Sequence, residues 1–227
     1  MKNKIKTVKT QKQKSNDIFF IVSMAIFLAI LAIMAYTPLG ALNLGFTTAT
    51  LAHIPVIIGA IVYGKKAGLI LGSCFGLLSV ITFSTVYAGQ PIGYVFSPVM
   101  AFSLNDNITI SLMLSLFALI TAFLPRVLMG LITAKTFDLS MKITNNQDLS
   151  IIISATVGSI SHTAMFYACF FGLFYTSYLA GLVNMSDIFS GALAILTIIT
   201  GLVEAILAAI LSIAVTKPLK KLSNKKR

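Results

Sequence analysis

The sequence has no tryptophan, two cysteines, two histidines and six acidic residues in 227 positions. Each shortage removes a class of chemistry. Cys74 and Cys169 stand alone in apolar runs, with no CxxC and no Cys/His spacing. A zinc site or dithiol redox pair has no ligands to form from, and both cysteines read as small hydrophobes. The carboxylates Asp17, Asp106, Asp138, Asp148, Asp187 and Glu204 are scattered, with no HExxH, P-loop or GxSxG beside them. That excludes a hydrolase, a metal centre, a phosphate cradle and an ATPase within the chain. The expected function is not enzymatic and calls for no cofactor. Charged residues make up 10% of the chain, against about 25% in a soluble domain.

What the chain has instead is apolar length. Residues are 57% hydrophobic and mean hydropathy is +0.95. A spanning helix needs about 20 mostly apolar residues. Six runs qualify, at roughly 18–36, 47–63, 67–87, 108–133, 151–177 and 188–215. The second is the weakest, with Thr47, Thr48, Thr50, His53 and Pro55 near its start. The expected fold is an all-α integral membrane protein of six transmembrane helices. A basic tail at 1–17 precedes the membrane domain at 18–215, and a second basic tail follows at 216–227.

The net charge of +11 sits at ends rather than on a face, which argues for orientation and anionic lipid contact and against nucleic acid. With six spans, one side holds the six lysines of the N-terminal tail, Lys65, Lys66, Lys135, Lys142 and the six basic residues after Thr216. That is sixteen of the seventeen Lys and Arg. The loops 37–46, 88–107 and 178–187 hold none. The positive-inside rule then predicts cytoplasmic N and C termini in a cell membrane. Loop 88–107, long, aromatic and uncharged, is a candidate lid.

The seventeenth is Arg126, in "FLPRVLMGL". A charge at the bilayer centre costs roughly 2.5–3.5 kcal/mol on insertion scales. At 1.5 Å per residue Arg126 lies about 27 Å from the outer end of the fourth run. That predicts an inner-half position, below an outer solute pocket. There the side chain would snorkel inward or pair with Glu204 as a structural intramembrane charge pair. Pro125 leaves the carbonyl of residue 121 for it or a neighbour to bond.

Two further patterns concern packing and binding. Gly64, Gly68, Gly72 and Gly76 recur every fourth residue, a stripe that lets another backbone approach closely. Ala25 and Ala29 make an AxxxA pair on the first run. In the fifth run, Ser159, His162, Thr163, Phe166 and Phe170 share one helical face. That face suits either the wall of a site for a small ligand with amide, hydroxyl or carboxylate groups, or mutual satisfaction of polar groups between helices. His53, two residues before Pro55, has the same two readings.

The run "TLAHIPVIIGAIVYGKKAGLILGSCFGL" resembles the second and third helices of S components, the substrate-binding membrane subunits of energy-coupling factor vitamin transporters. "YVFSPV" resembles an F-S-P loop of that family. "LPRVLMGL" resembles its L-P-R stretch in helix four. "GSISHTAMF" is similar to its fifth-helix G-S-x-T-N-T motif, with His162 where Asn is common. These matches run from about residue 25 to 170. The resemblance implies a protein that binds a water-soluble vitamin from outside. It would associate with a membrane T component and two cytoplasmic ATPases, whose ATP hydrolysis topples it to release solute inside. It implies T-component docking at Ala25 and Ala29, and a bacterial, Gram-positive setting. It places the solute in the first loop and helices four to six. Together with the polar faces above, the candidate set is Asn43, Thr47, His53, Tyr94, Ser159, His162, Thr163 and Phe166. The pattern looks nearest the pantothenate-type branch, with riboflavin and folate types as neighbours. A stand-alone secondary carrier using Glu204 and a non-transporting membrane scaffold are the competing readings.

Overall fold

A computed structural model describes residues 2–43, 48–88, 90, 92–182 and 191–226, with side chains at 15–40, 50–88, 90, 92–177, 179–182 and 200–221. Helix α1 (Lys2–Tyr36) runs through a 3-10 turn at Pro38–Gly40 into a two-stranded hairpin, β1 (Ala41–Asn43) and β2 (Thr48–Thr50). The strands are antiparallel, with Ala41 opposite Thr50 and Asn43 opposite Thr48. Then come α2 (Ile54–Tyr63), α3 (Lys65–Thr85), two short helices α4 (Gly93–Phe96) and α5 (Pro98–Phe102), and α6 (Ile108–Thr144). Helix α7 (Gln147–Cys169) passes into a π-helical turn at Phe170–Tyr175 and α8 (Thr176–Leu179), and α9 (Gly191–Lys226) closes the chain.

Among the described residues five helical stretches are long and apolar enough to cross a membrane: Ser15–Tyr36, Lys65–Thr85, Ile108–Thr144, Gln147–Tyr175 and Thr200–Lys221. The chain is a multi-pass membrane protein. The expected run 47–63 divides. Its threonine-rich start supplies β2, and only Ile54–Tyr63 is helical, with Pro55 in the first turn where a missing N–H costs nothing. Ten residues reach about 15 Å. Yet Ile54 to Val62 are all buried, as a helix apolar on every side must be. Helix α2 packs against α1, α3, α6, α7 and α9. The weakest span by length is thus the centre of the core, where Ile57, Leu71, Met129 and Ile151 meet.

The glycine stripe packs α3 on α6. A Cβ at Gly68 would lie 2.5 Å from the Gly130 carbonyl oxygen, and one at Gly72 would lie 2.5 Å from that of Arg126. Gly76 faces Ala122 and Phe123. Gly64 belongs elsewhere: at φ 81° it makes the turn between α2 and α3, a left-handed conformation that glycine adopts without a steric penalty. At the end of α6, Asn145 takes a left-handed cap at φ 50°. The side chain of Asn146 then accepts from the N–H groups of Asp148 and Leu149 to start α7. On α1, Met24, Phe27 and Leu31 face the core, while Ala25 and Ala29 lie on an exposed face with Ile18, Ile21, Ile26 and Ile33.

Candidate solute-binding site

Between α3, α6, α7 and α9, at the end of the bundle that carries the hairpin, lies a cavity of about 590 Å³. The hairpin end closes it with Thr37, Gly40 and Thr50. The 88–107 segment and its approach add Tyr87, Gln90, Ile92 and Phe96. The motif F-S-P explains how Phe96 is placed. The Ser97 hydroxyl accepts from the Met100 N–H at 3.2 Å and shares a hydrogen bond with Ser84 at 2.7 Å. Pro98 opens α5. Phe96 is thereby pressed between rings, 4.7 Å from Phe83 and 5.2 Å from Phe166, centroid to centroid.

Arg126 lines this cavity, and the position expected for it below the pocket is corrected. Counting residues along a helix locates Cα, whereas the side chain of a helical residue points back toward the helix N-terminus. For Arg126 that direction is the hairpin end. Nη1 donates to the Thr121 carbonyl at 2.8 Å, the oxygen that Pro125, lacking an N–H, leaves without its helical partner. The guanidinium lies 4.5 Å from the centre of the Phe96 ring and 5.1 Å from that of Phe75, a cation–π cradle. It is 4% exposed, and Nε has no hydrogen-bond partner among the described residues.

The expected Arg126–Glu204 ion pair does not form. Among the described residues the ion pairs are Lys65–Asp138 and Lys217–Asp148. Glu204 lines the same cavity but is held by other partners. Its Oε1 accepts from the Thr50 N–H at 2.6 Å and its Oε2 from the Thr163 hydroxyl at 3.3 Å. The carboxylate therefore ties β2 to α7 and α9.

On α7, His162, Thr163 and Phe166 line the cavity. Both ring nitrogens of His162 lack partners among the described residues although the residue is buried. Behind it, His53 stacks at 5.5 Å between centroids and bonds Ser159 at 3.1 Å. Ser159 and His53 thus support His162 from outside the cavity lining. Tyr94 also stays off that lining, since Phe96, two residues on, takes the inward position. Thr47 and the side chain of Asn43 lie outside the described residues. The sequence reading missed Phe75, Ser79 and Thr82 on α3, and Tyr167 on α7. The signal for α3 was available: residues 75, 79 and 82 share a face at i, i+4, i+7.

In chemical terms the described residues of the cavity offer one cation, one anion, an imidazole with both nitrogens open and stacked aromatic walls. No family model matches the chain. It is similar to the pantothenic acid transporter PanT of Lactococcus lactis subsp. cremoris (strain MG1363). The two are 30% identical over an alignment of 216 residues that covers 94% of this chain and 98% of that protein.

Proposed function

The chain belongs to the family of the pantothenic acid transporter PanT, and from that premise we propose that it is a pantothenate-binding S component of an energy-coupling factor transporter. It is a transporter subunit of a Gram-positive bacterial membrane rather than an enzyme. It crosses the membrane with α2 counted as a sixth segment, both termini cytoplasmic and the hairpin end outside. The observation that carries the substrate is the buried guanidinium of Arg126, in the cavity wall with, among the described residues, an unpartnered Nε and no carboxylate paired to it. An unpaired charge so placed is costly, and a ligand carboxylate relieves that cost through a charge-assisted hydrogen bond. Pantothenate carries one carboxylate, one amide and two hydroxyls. Its amide suits the open nitrogens of His162, and its branched chain suits Phe96 and Phe166.

The energy-coupled part rests on the family resemblance and on the exposed face of α1, where Ala25 and Ala29 sit among aliphatic side chains. A T component docks there, with two ATPases beneath it. The test is direct. Purified protein in mild detergent is titrated calorimetrically with pantothenate, riboflavin and folate, and coexpressed with candidate T component and ATPases. Pantothenate binds and the other two do not; leucine at Ala25 and Ala29 abolishes copurification and spares binding. Preferential binding of riboflavin or folate overturns the substrate. Uptake by the chain alone in vesicles without ATPases overturns the coupling and makes Glu204, buried in the same cavity, the ion site of a secondary carrier.

A further inference from the structure

We propose that Glu204 is the specificity-determining residue for the hydroxyl end of the solute, and that together with Arg126 it sets which way round the solute lies; this rests on the pantothenate reading of the cavity. The two charges stand on different helices, α6 and α9, and α7 packs against both. His162 and Thr163 of α7 line the space with them. The cavity therefore has a cationic flank and an anionic flank, with a polar middle. The close approach of α9 to α7 is built in: a Cβ on Gly201 would lie 3.2 Å from Thr163 Cγ2, and Glu204 follows one turn later.

Glu204 is 7% exposed, and each of its oxygens already accepts a hydrogen bond from Thr50 or Thr163. An ionised carboxylate offers about four acceptor positions and no donor. The remaining positions take O–H donors and repel an anion. A solute with a carboxylate at one end and hydroxyls at the other matches the cavity in one orientation. In that orientation the carboxylate meets Arg126 and the hydroxyls meet Glu204. Reversed, its carboxylate meets Glu204 and Arg126 is left without a counter-ion. An acceptor-only carboxylate also discriminates sharply, because a ligand lacking the hydroxyls forfeits charge-assisted bonds while Glu204 stays buried.

The competing account is mechanical: Glu204 holds the hairpin through the Thr50 N–H and touches no ligand. Calorimetry on wild type and Glu204→Gln separates the two. The probes are pantothenate and N-(3,3-dimethylbutanoyl)-β-alanine, which keeps the carboxylate and amide but has no hydroxyl. Gln retains a carbonyl oxygen for the Thr50 N–H. The substitution weakens pantothenate by about tenfold or more and the dideoxy compound by less than about twofold, so the preference of the wild type collapses. Equal weakening of both, or unchanged pantothenate affinity, overturns the assignment. Should Glu204→Gln not fold, Glu204→Asp, which keeps the charge and withdraws it by one methylene, must show the same selective loss. Wild type that binds no pantothenate overturns the functional reading itself and this assignment with it, before any variant is made.

Discussion

At one end of the bundle Lys65 pairs with Asp138 and Lys217 with Asp148, all four side chains about half exposed. At the hairpin end, Arg126 and Glu204 are 4% and 7% exposed and pair with neither each other nor any other ion among the described residues. The four charges of the first end stand in solvated pairs. The two charges buried at the second end are each costly. Exposed pairs of the first kind contribute about 0.2–1 kcal/mol apiece, and so their presence says little about function. A buried guanidinium with an open nitrogen costs free energy in the empty protein, and such a cost persists where something else requires the charge. The contrast therefore locates the site more firmly than the size of the cavity does.

The strongest way to break this contrast is to neutralise its cationic half. Arg126→Gln removes the charge, keeps polar length and leaves Pro125 in place. Pantothenate affinity should fall by at least about 30-fold, since truncating one partner of a buried charge pair costs 2–5 kcal/mol. The empty protein should be no less thermostable, because the variant relieves an unpaired buried charge. Calorimetric titration and thermal unfolding in the same detergent check both. A folded variant with wild-type affinity would return Arg126 to a purely structural role.

How much of this was legible beforehand follows from what each residue needs to be placed. Spacing alone put His162, Thr163 and Phe166 on one face, because α7 is a regular helix there. The same spacing included Ser159, which turned out to face His53, because a periodic face is wider than a cavity wall. The glycine stripe announced a close helix approach but not its partner, since small residues carry no address. Arg126 was misplaced because a depth argument follows the backbone, and a long side chain can shift its charge by a full helical turn. Composition makes 47–63 a marginal span because it cannot separate a short buried helix from a membrane-facing one. Glu204, the carboxylate of the sixth apolar run, falls in the stretch Thr200–Lys221 that is long and apolar enough to cross a membrane. Its real partners, a strand N–H and a threonine hydroxyl, come from segments 154 and 41 residues away, beyond any local pattern.

A milder probe sharpens the contrast within the cavity. His162→Ala removes two open nitrogens but no charge, and leaves His53 bonded to Ser159. Pantothenate affinity should fall about three- to tenfold, the worth of one neutral hydrogen bond, clearly less than for Arg126→Gln. Loss as large as that of the arginine variant would show that the stacked histidines hold the cavity open rather than touch the solute.

The smallest effect belongs to the other end. Lys217→Gln removes the shortest ion pair of the described residues, at 2.6 Å to Asp148. A short distance invites the inference of a strong interaction, but the side chains are 52% and 45% exposed. Water screens the attraction, and fixing a long lysine side chain costs rotamer entropy, so stability should change by no more than about 1 kcal/mol. Pantothenate affinity should not change, because Lys217 sits at the opposite end of α9 from the Thr200–Glu204 stretch that lines the cavity. Titration of this variant beside Arg126→Gln is the control for the whole comparison. If removing an exposed lysine weakened binding as much as removing the buried arginine, long-range positive charge would be attracting the anionic solute. The cavity would then lose its claim to be the element that recognises the carboxylate.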